Sequence, residues 1–448
     1  MNAGRPSVDT SVGVLAARTL GLRLALVVVG TAGTVIVSRV LGPEGRGVYY
    51  TPIVAAATVV TLAKLGVDQA NVYLYGSRSI SADRLAGQSG LVTILMGGAG
   101  VVVMFALPAL LPSVFSDVPP LLVLLSALTI PLSLHTQFIA GLQNLVGQVT
   151  LQFRAAIAAG TFQLGALLVL AMTRTVTVGA VLAVNLAAAL VAWLWTLRTS
   201  TVAPWTVRWD SSLLRETVRH SLVLHIGVVL LFLHLRVDAF MVKAIDGAAA
   251  LGVYSLAVVV AETVLLATDS VSIALLPRQV ANALQESAQV ALRAARLNAY
   301  LALFFGAGLV VTGWVLIPVL FGASFAGAYP ALVALLPGII FISMQRVCGA
   351  PVIRAGKPWR LTAISAASLT VNVILNLIWI PEFGPVGASL ASSVSYGLGA
   401  LAILAWTTEL AGSASALRPS RADGAIVARA FASASRFVRR ESTETSDL

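Results

Sequence analysis

The chain has 448 residues, of which 58% are hydrophobic and only 10% are charged, with a net charge of +11 and a mean hydropathy of +0.92. A soluble domain carries about 25% charged residues, so this composition excludes an ordinary soluble enzyme. The apolar runs are rich in Leu, Ala and Val, approach or exceed the roughly 20 residues that cross a bilayer core, and lack the alternation of barrel strands, which predicts an all-α polytopic membrane protein.

The apolar segments predict about twelve transmembrane helices in chain order. They cover residues 11–40, 50–75, 86–112, 120–142, 148–172, 177–198, 217–242, 250–276, 296–320, 328–350, 360–380 and 386–410. An even number of spans places both termini on the same side of the membrane. The longest internal loop, 199–216, is too short to form a soluble catalytic domain.

The distribution of Lys and Arg predicts the orientation. One set of loops and ends, including the C-terminal tail, holds most of the basic residues, whereas the opposite set carries only Arg39, Arg46, Arg174 and Lys243. Basic residues are retained on the cytoplasmic side of a membrane. We therefore expect a multi-pass protein of the cell (inner or plasma) membrane with both termini in the cytoplasm. The excess positive charge is a topology signal and does not indicate nucleic-acid binding.

Cysteine and histidine offer no basis for a metal site or a cofactor. Cys348 is the single cysteine, which excludes a disulfide within the chain, and the four histidines have no ligand spacing. In the tail, residues 412–448, Val427, Phe431 and Val438 recur at helical spacing among arginines. This pattern fits an amphipathic helix on the anionic inner leaflet, and a disordered basic tail is the alternative.

The two halves of the chain repeat a short motif. Gly42, Gly47, Val48 and Tyr49 each have an identical residue 205 positions later, from Gly247 to Tyr254. A second match joins residues 178–183 to 386–391 at an offset of 208. We therefore predict two six-helix lobes, 1–205 and 206–411, related by a pseudo-two-fold axis along the membrane normal. A substrate site is expected between such lobes.

Basic residues inside the predicted spans are candidates for binding an anion. An ionisable group buried in lipid costs about 2.5–3.5 kcal/mol on insertion scales, so it should face the bundle interior or water. Arg18, Arg23, Lys64 and Arg236 are the candidates. Arginine and lysine suit an anion because they supply paired donors and a point charge, respectively. The alternatives are that these residues neutralise a neighbouring acid or extend to the membrane interface.

Acidic residues inside the spans are candidates for ion coupling or a gate. They are Asp68, Asp238, Glu262 and Asp269, and each would carry Na⁺ or a proton. The alternative is a structural ion pair. Lys64 and Asp269 are equivalent through the offset of 205, so we hypothesise that they approach each other across the cleft in one state of a transport cycle. Asp68, four residues from Lys64, is the rival partner.

Several ordered motifs resemble bacterial oligosaccharide flippases of the multidrug/oligosaccharidyl-lipid/polysaccharide exporter superfamily. They are Ser38–Tyr49, Arg236–Asp238 with Gly252–Ser255, and Val371–Asn376 followed by Gly387-Ala388. The resemblance covers residues 11–410 and implies a V-shaped bundle of two lobes. It implies that the cargo is a polyprenyl-diphosphate-linked oligosaccharide, moved from the cytoplasmic to the outer leaflet. The implied partners are this substrate, membrane lipids and other membrane proteins of polysaccharide assembly.

Two other functions compete with a flippase. One is a drug or small-molecule cation antiporter of the same fold, which an acidic and aromatic cavity would favour. The other is a polyprenyl-linked membrane glycosyltransferase or polymerase, which would need acids or histidines clustered in a sizeable outer loop. The short outer loops disfavour an enzyme, and the absence of two further predicted spans disfavours a lipid II flippase.

Overall fold

The computed structural model describes the backbone of residues 8–77, 80–203, 207, 209–281 and 283–419, which is helical almost throughout. The helices are α1 Val8–Ala63, α2 Val67–Gly76, α3 Ala82–Leu110, α4 Pro112–Phe115, α5 Pro120–Ala127, α6 Thr129–Leu145, α7 Val149–Met172, α8 Val178–Thr199, α9 Ser211–His234, α10 Val237–Ala281, α11 Leu284–Phe321, α12 Ala328–Arg354 and α13 Pro358–Ala411. These ranges contain no β-strand. The predicted all-α polytopic fold is confirmed.

Within these ranges, nine helical elements are long and apolar enough to cross a membrane. Three of them bend sharply at a glycine with positive φ: Gly42 (64°), Gly247 (83°) and Gly384 (52°). Only glycine adopts this conformation without strain. Dividing the elements at these glycines gives twelve segments, and twelve separate crossings stay a prediction. We call the end of the bundle that carries the three glycines the bend end.

The two copies of the repeated motif meet at the bend end. A Cβ added at Gly47 would overlap the carbonyl oxygen of Ala248, and one added at Gly252 would overlap that of Pro43. Both pairs are related by the repeat offset of 205, so each half contributes the same glycine and the same backbone position. Such reciprocity is what a two-fold axis between the halves would produce. The orientation of that axis stays a prediction.

Two cationic side chains make further contacts between helices near the bend end. Arg39 donates from Nε to the Leu320 carbonyl oxygen at 2.8 Å, linking α1 to the end of α11. Lys243 of α10 lies 2.5 Å from Asp117, which follows α4. The sequence analysis placed Lys243 in an outer loop. That placement is wrong, because the helix continues through Lys243 to Gly247.

The hydrophobic cores separate by half. The largest core draws its fully buried residues from 239–396, and the second draws its own from 55–182. The division into lobes at 205/206 stays a prediction. Arg296 of α11 donates to the Ala416 carbonyl oxygen at 2.8 Å, which fixes the short turn after α13. Residues 420–448, with the predicted amphipathic segment, lie outside the described residues.

The start of α9 is capped across the two halves. The carboxylate of Asp210 accepts hydrogen bonds from the Ser212 hydroxyl, the Leu213 N–H and Arg84 of α3. These hydrogen bonds stabilise the charged form, so the pKa of Asp210 lies well below its usual range. The N-cap therefore stays ionised at physiological pH and complements the positive end of the helix dipole.

We predict that Gly47→Ala destabilises the fold by about 1–3 kcal/mol, because the new methyl group forces two backbones apart. The measurement is the thermal midpoint of the detergent-purified protein. Gly98→Ala is the matched control, since a Cβ at this glycine in α3 meets nothing within 4 Å. Equal midpoints for the two variants would contradict the close contact at the bend end.

Candidate functional site

A cavity of about 300 Å³ lies against the first half of the chain. Its wall comes from both segments of α1, from α7 and from one residue of α10. The lining residues are Leu26, Val29, Gly30, Gly33, Thr34, Val37, Arg46, Tyr49, Tyr50, Ile53, Gly160, Gln163, Leu164, Leu167 and Val259. The cavity is therefore mainly apolar, with one cationic side chain.

Arg46 supplies that charge and is only 4% exposed. Its Nε donates to the Ser255 hydroxyl at 3.1 Å, and one terminal nitrogen donates to the Ser38 hydroxyl at 2.9 Å. No carboxylate pairs with Arg46 among the described residues. The sequence analysis placed this arginine in an outer loop, which is wrong, because the helix resumes directly after the Gly42 bend.

The predicted arginines of the first span have different outcomes. Arg18 lies in α1, and its side chain is outside the described part of the structure. The Arg23 guanidinium lies 5.2 Å from the centre of the Phe153 ring of α7. Its Nε is buried without a hydrogen-bond partner, and no described carboxylate pairs with it. Arg23 therefore forms no ion pair with a described residue and stays a candidate for binding an anion.

Lys64 and Asp269 are each paired within their own half. Lys64 lies 3.4 Å from Asp68, four residues away, and Asp269 lies 2.9 Å from Arg346 of α12. Their hypothesised approach across the cleft is not the arrangement in this conformation. Arg346 is not among the candidate residues predicted from the sequence, and its pairing with Asp269 is a finding of the structure.

Arg236 and Glu262 were assigned to different roles, and the structure brings them together. Their closest atoms lie 2.8 Å apart, and both nitrogens of the Arg236 fork reach the carboxylate. The pair joins the residue just before α10 to the part of α10 that follows the Gly247 bend. A paired arginine neutralises its partner, so this contact is the structural alternative that the sequence analysis left open for both residues.

Asp238 is a buried acid of the second half that forms no ion pair with a described residue. It is 2% exposed, and its carboxylate accepts hydrogen bonds from the Tyr254 and Ser392 hydroxyls and from the Ala239 N–H. The hydroxyl of Ser392 lies 3.0 Å from the carboxylate. The hydrogen-bond partners of Asp238 are therefore hydroxyl and N–H groups, and it forms no ion pair with a described residue.

A polar network continues from Asp238 along α13. The Asn372 side chain donates to Ser392 and Ser395, and Asn376 donates to Asn372 at 2.9 Å. His234 also contacts Ser395, at 2.9 Å. The side-chain oxygen of Asn376 is buried with no hydrogen-bond partner. Oxygen-rich buried clusters with one carboxylate are suited to a proton or an alkali cation.

Sequence reasoning missed both Arg46 and the serines and asparagines around Asp238. For Arg46 a signal existed, because it lies inside the repeated motif between Gly45 and Gly47. For the α13 cluster the signal was weak, because serine and asparagine are common at helix contacts in membranes. No group of three or more His, Cys, Asp or Glu side chains could hold a metal within the described residues.

The described helices form a multi-pass membrane protein with charged side chains in its interior. A family model described as polysaccharide biosynthesis protein matches residues 36–330. The chain belongs to this family. The polysaccharide-related family that the sequence motifs predict is thereby confirmed. A search of curated proteins gave no match.

Solved structures share the fold at low identity. An inward-facing multidrug resistance MATE family transporter of the MOP superfamily has a TM-score of 0.67 at 15% identity, covering 86% of this chain and 94% of its own. The lipid II flippase MurJ, in an inward closed conformation, has a TM-score of 0.66 at 12% identity, covering 98% and 100%. A MOP superfamily transporter from Pyrococcus furiosus, described as having a binding pocket of reverse polarity, has a TM-score of 0.58 at 15% identity, covering 92% and 95%.

Proposed function

We propose that this protein moves a polyprenyl-diphosphate-linked oligosaccharide from the cytoplasmic to the outer leaflet for assembly of a cell-surface polysaccharide. The observation that carries the proposal is Arg23, a half-buried guanidinium inside an apolar segment with no described carboxylate partner. A diphosphate supplies the missing negative charge and accepts the paired hydrogen bonds of arginine. Membership of a polysaccharide biosynthesis family and the fold shared with a lipid II flippase support it.

The charge of the interior also disfavours a cation antiporter. Among the described residues that line the cavity of the first half, Arg46 is the charged one, and a cationic drug would meet this positive charge. The similar transporter from Pyrococcus furiosus, described by the reverse polarity of its pocket, shows that charge in this fold varies. A glycosyltransferase is disfavoured because the similar solved structures are transporters and flippases.

We predict that cells lacking this protein accumulate the lipid-linked oligosaccharide on the cytoplasmic face, and that Arg23→Ala fails to restore export. The flux of substrate should fall about tenfold or more, and a tenfold change corresponds to a loss of about 1.4 kcal/mol in interaction free energy. Arg23→Lys should restore part of it, because the charge remains while the fork is lost. Export is measured as surface polysaccharide at matched protein levels.

Arg198→Ala is the control for this experiment. Arg198 is exposed at the end of α8 and lies outside the proposed site. Normal export by Arg23→Ala would contradict the role of this residue. Deletion without accumulation of any lipid-linked oligosaccharide would contradict the proposed function itself.

We further propose that Asp238 carries the coupling cation, a proton or Na⁺. The residues around it supply hydroxyl and amide oxygens, and the unpartnered oxygen of Asn376 belongs to the same network. A carboxylate that alternates between the charged and the neutral or cation-bound form suits an ion pathway. Transport would then depend on a gradient of this ion across the membrane.

Asp238→Asn should abolish the dependence of transport on an imposed Na⁺ or H⁺ gradient in proteoliposomes, because the side chain can no longer change charge. A thermal midpoint that rises with Na⁺ in the natural protein and not in the variant would identify Na⁺. Asp83→Asn, which alters an acid at the start of α3, is the control. Unchanged gradient dependence in Asp238→Asn would rule out this site.

We also propose that both termini lie in the cytoplasm and the bend end on the outer side of the cell membrane. The support is the Lys and Arg bias of the loops. A Ser212→Cys variant should resist impermeant thiol reagents in intact cells, whereas Glu382→Cys, beside the Gly384 bend, should react readily. Both positions are exposed, and the natural Cys348 is buried. The reverse labelling pattern would overturn the orientation.

A further inference from the structure

The cavity beside α7 holds a buried cation that the structure leaves partly unsatisfied. Arg46 donates from two of its three nitrogens, to Ser38 and Ser255, and the third makes no hydrogen bond to a described residue. The side chain is 4% exposed and lines the cavity. A buried charge without a counter-charge is costly. Its position in a cavity indicates that the compensating charge comes from a ligand.

The surroundings of Arg46 restrict the chemistry of that ligand. Tyr49 and Tyr50 line the same cavity, and neither hydroxyl hydrogen-bonds to a described residue. Gln163 adds an amide, and the remaining wall is mainly aliphatic. One guanidinium fork with two phenols suits the oxygens of a phosphate or diphosphate. The aliphatic wall suits a hydrocarbon chain attached to it. The fitting ligand is therefore an amphipathic oxyanion.

Arg46 lies far from Arg23 in the direction of the α1 axis. Ser38, which binds Arg46, is fifteen residues beyond Arg23 on the straight part of α1, and a rise of 1.5 Å per residue places them roughly 22 Å apart. One diphosphate cannot contact both arginines at once. Arg23 belongs to the end opposite the bend, and Arg46 belongs to the bend end.

We propose that Arg46, with Tyr49 and Tyr50, forms a second binding site for the diphosphate of the polyprenyl-linked substrate, used at the bend end after Arg23 has released it. The site rests on the proposed function and adds the second position of the substrate to it. Arg46 also bonds to Ser255 of the other half, beside the reciprocal glycine contact. A diphosphate at Arg46 therefore competes for the donors that tie the two halves together there.

The alternative is that Arg46 is only a structural link that hydrogen-bonds Ser38 and Ser255. A structural link and a ligand-binding residue differ in one measurable respect. Replacing a structural link lowers the thermal stability and leaves the ligand affinity unchanged. Replacing a ligand-binding arginine lowers the affinity, and lysine restores only part of it because the charge remains without the fork.

The test uses the full-length chain in detergent, with farnesyl diphosphate as the probe. Every protein compared carries Arg23→Ala, so that the remaining binding reports on Arg46. Binding is followed by the change in intrinsic tryptophan fluorescence. Arg46→Gln should weaken binding at least about tenfold, Arg46→Lys should weaken it less, and Tyr50→Phe should weaken it by a few-fold. Arg198→Gln should leave it unchanged. Thermal midpoints report whether each variant is folded.

Two further ligands separate the lipid from the free anion. Inorganic diphosphate should bind more weakly than farnesyl diphosphate, because it makes no use of the aliphatic wall, and farnesol should not compete. Equal affinity for the two diphosphates would overturn the lipid assignment. Equal affinity of the Arg46→Gln and parent proteins for farnesyl diphosphate, with Tyr50→Phe also unchanged, would overturn the site. The proposed function is tested separately: if cells lacking the protein accumulate the lipid-linked oligosaccharide, that function stands even when the Arg46 site is overturned.

Discussion

The cost of placing a charge in a bilayer organises the interior of this protein. Four ion pairs lie in or between the described helices and their connections: Lys64 pairs with Asp68, Glu262 with Arg236, Asp269 with Arg346 and Lys243 with Asp117. Each such pair removes a net charge from the interior and gives a helix contact in return. Arg23, Arg46 and Asp238 form no ion pair with a described residue, and we propose that a substrate or an ion supplies the remaining interaction at each of them.

The position of these three residues follows from how the two halves meet. The bends at Gly42 and Gly247 return the chain so that Gly47 and Gly252 lie against the backbone of the opposite half. That close approach places Ser255 within reach of Arg46 and leaves the cavity on the side of α7. The reciprocal contact is symmetric, but the charges are not, because the repeat equivalent of Arg46 is Leu251. The first half therefore holds Arg23 and Arg46, and the second half holds Asp238.

Hydrophobicity was sufficient to predict the all-α membrane fold and the approximate segments, because span length and apolar composition are set by the bilayer. Boundaries were less predictable. The helix α11 begins at Leu284, twelve residues before the predicted span, because Ala288, Ala291 and Leu292 pack against other helices outside the apolar run. Arg46 and Lys243 were assigned to loops because a single glycine bend replaces each expected loop. The partners of Glu262 and Asp269 depend on which helices adjoin, and periodicity along one helix contains no such information.

The central claim is that the protein carries a lipid-linked oligosaccharide between leaflets, and reconstituted translocation tests it most directly. Proteoliposomes would contain the purified chain and a fluorescent polyprenyl-diphosphate-linked oligosaccharide, with its leaflet read by quenching with a membrane-impermeant reductant. The account predicts translocation of the diphosphate-linked substrate by the natural protein, with a large loss in a variant lacking both Arg23 and Arg46. Translocation at the rate of protein-free liposomes, or equal transport of an uncharged polyprenyl-linked sugar, would contradict it.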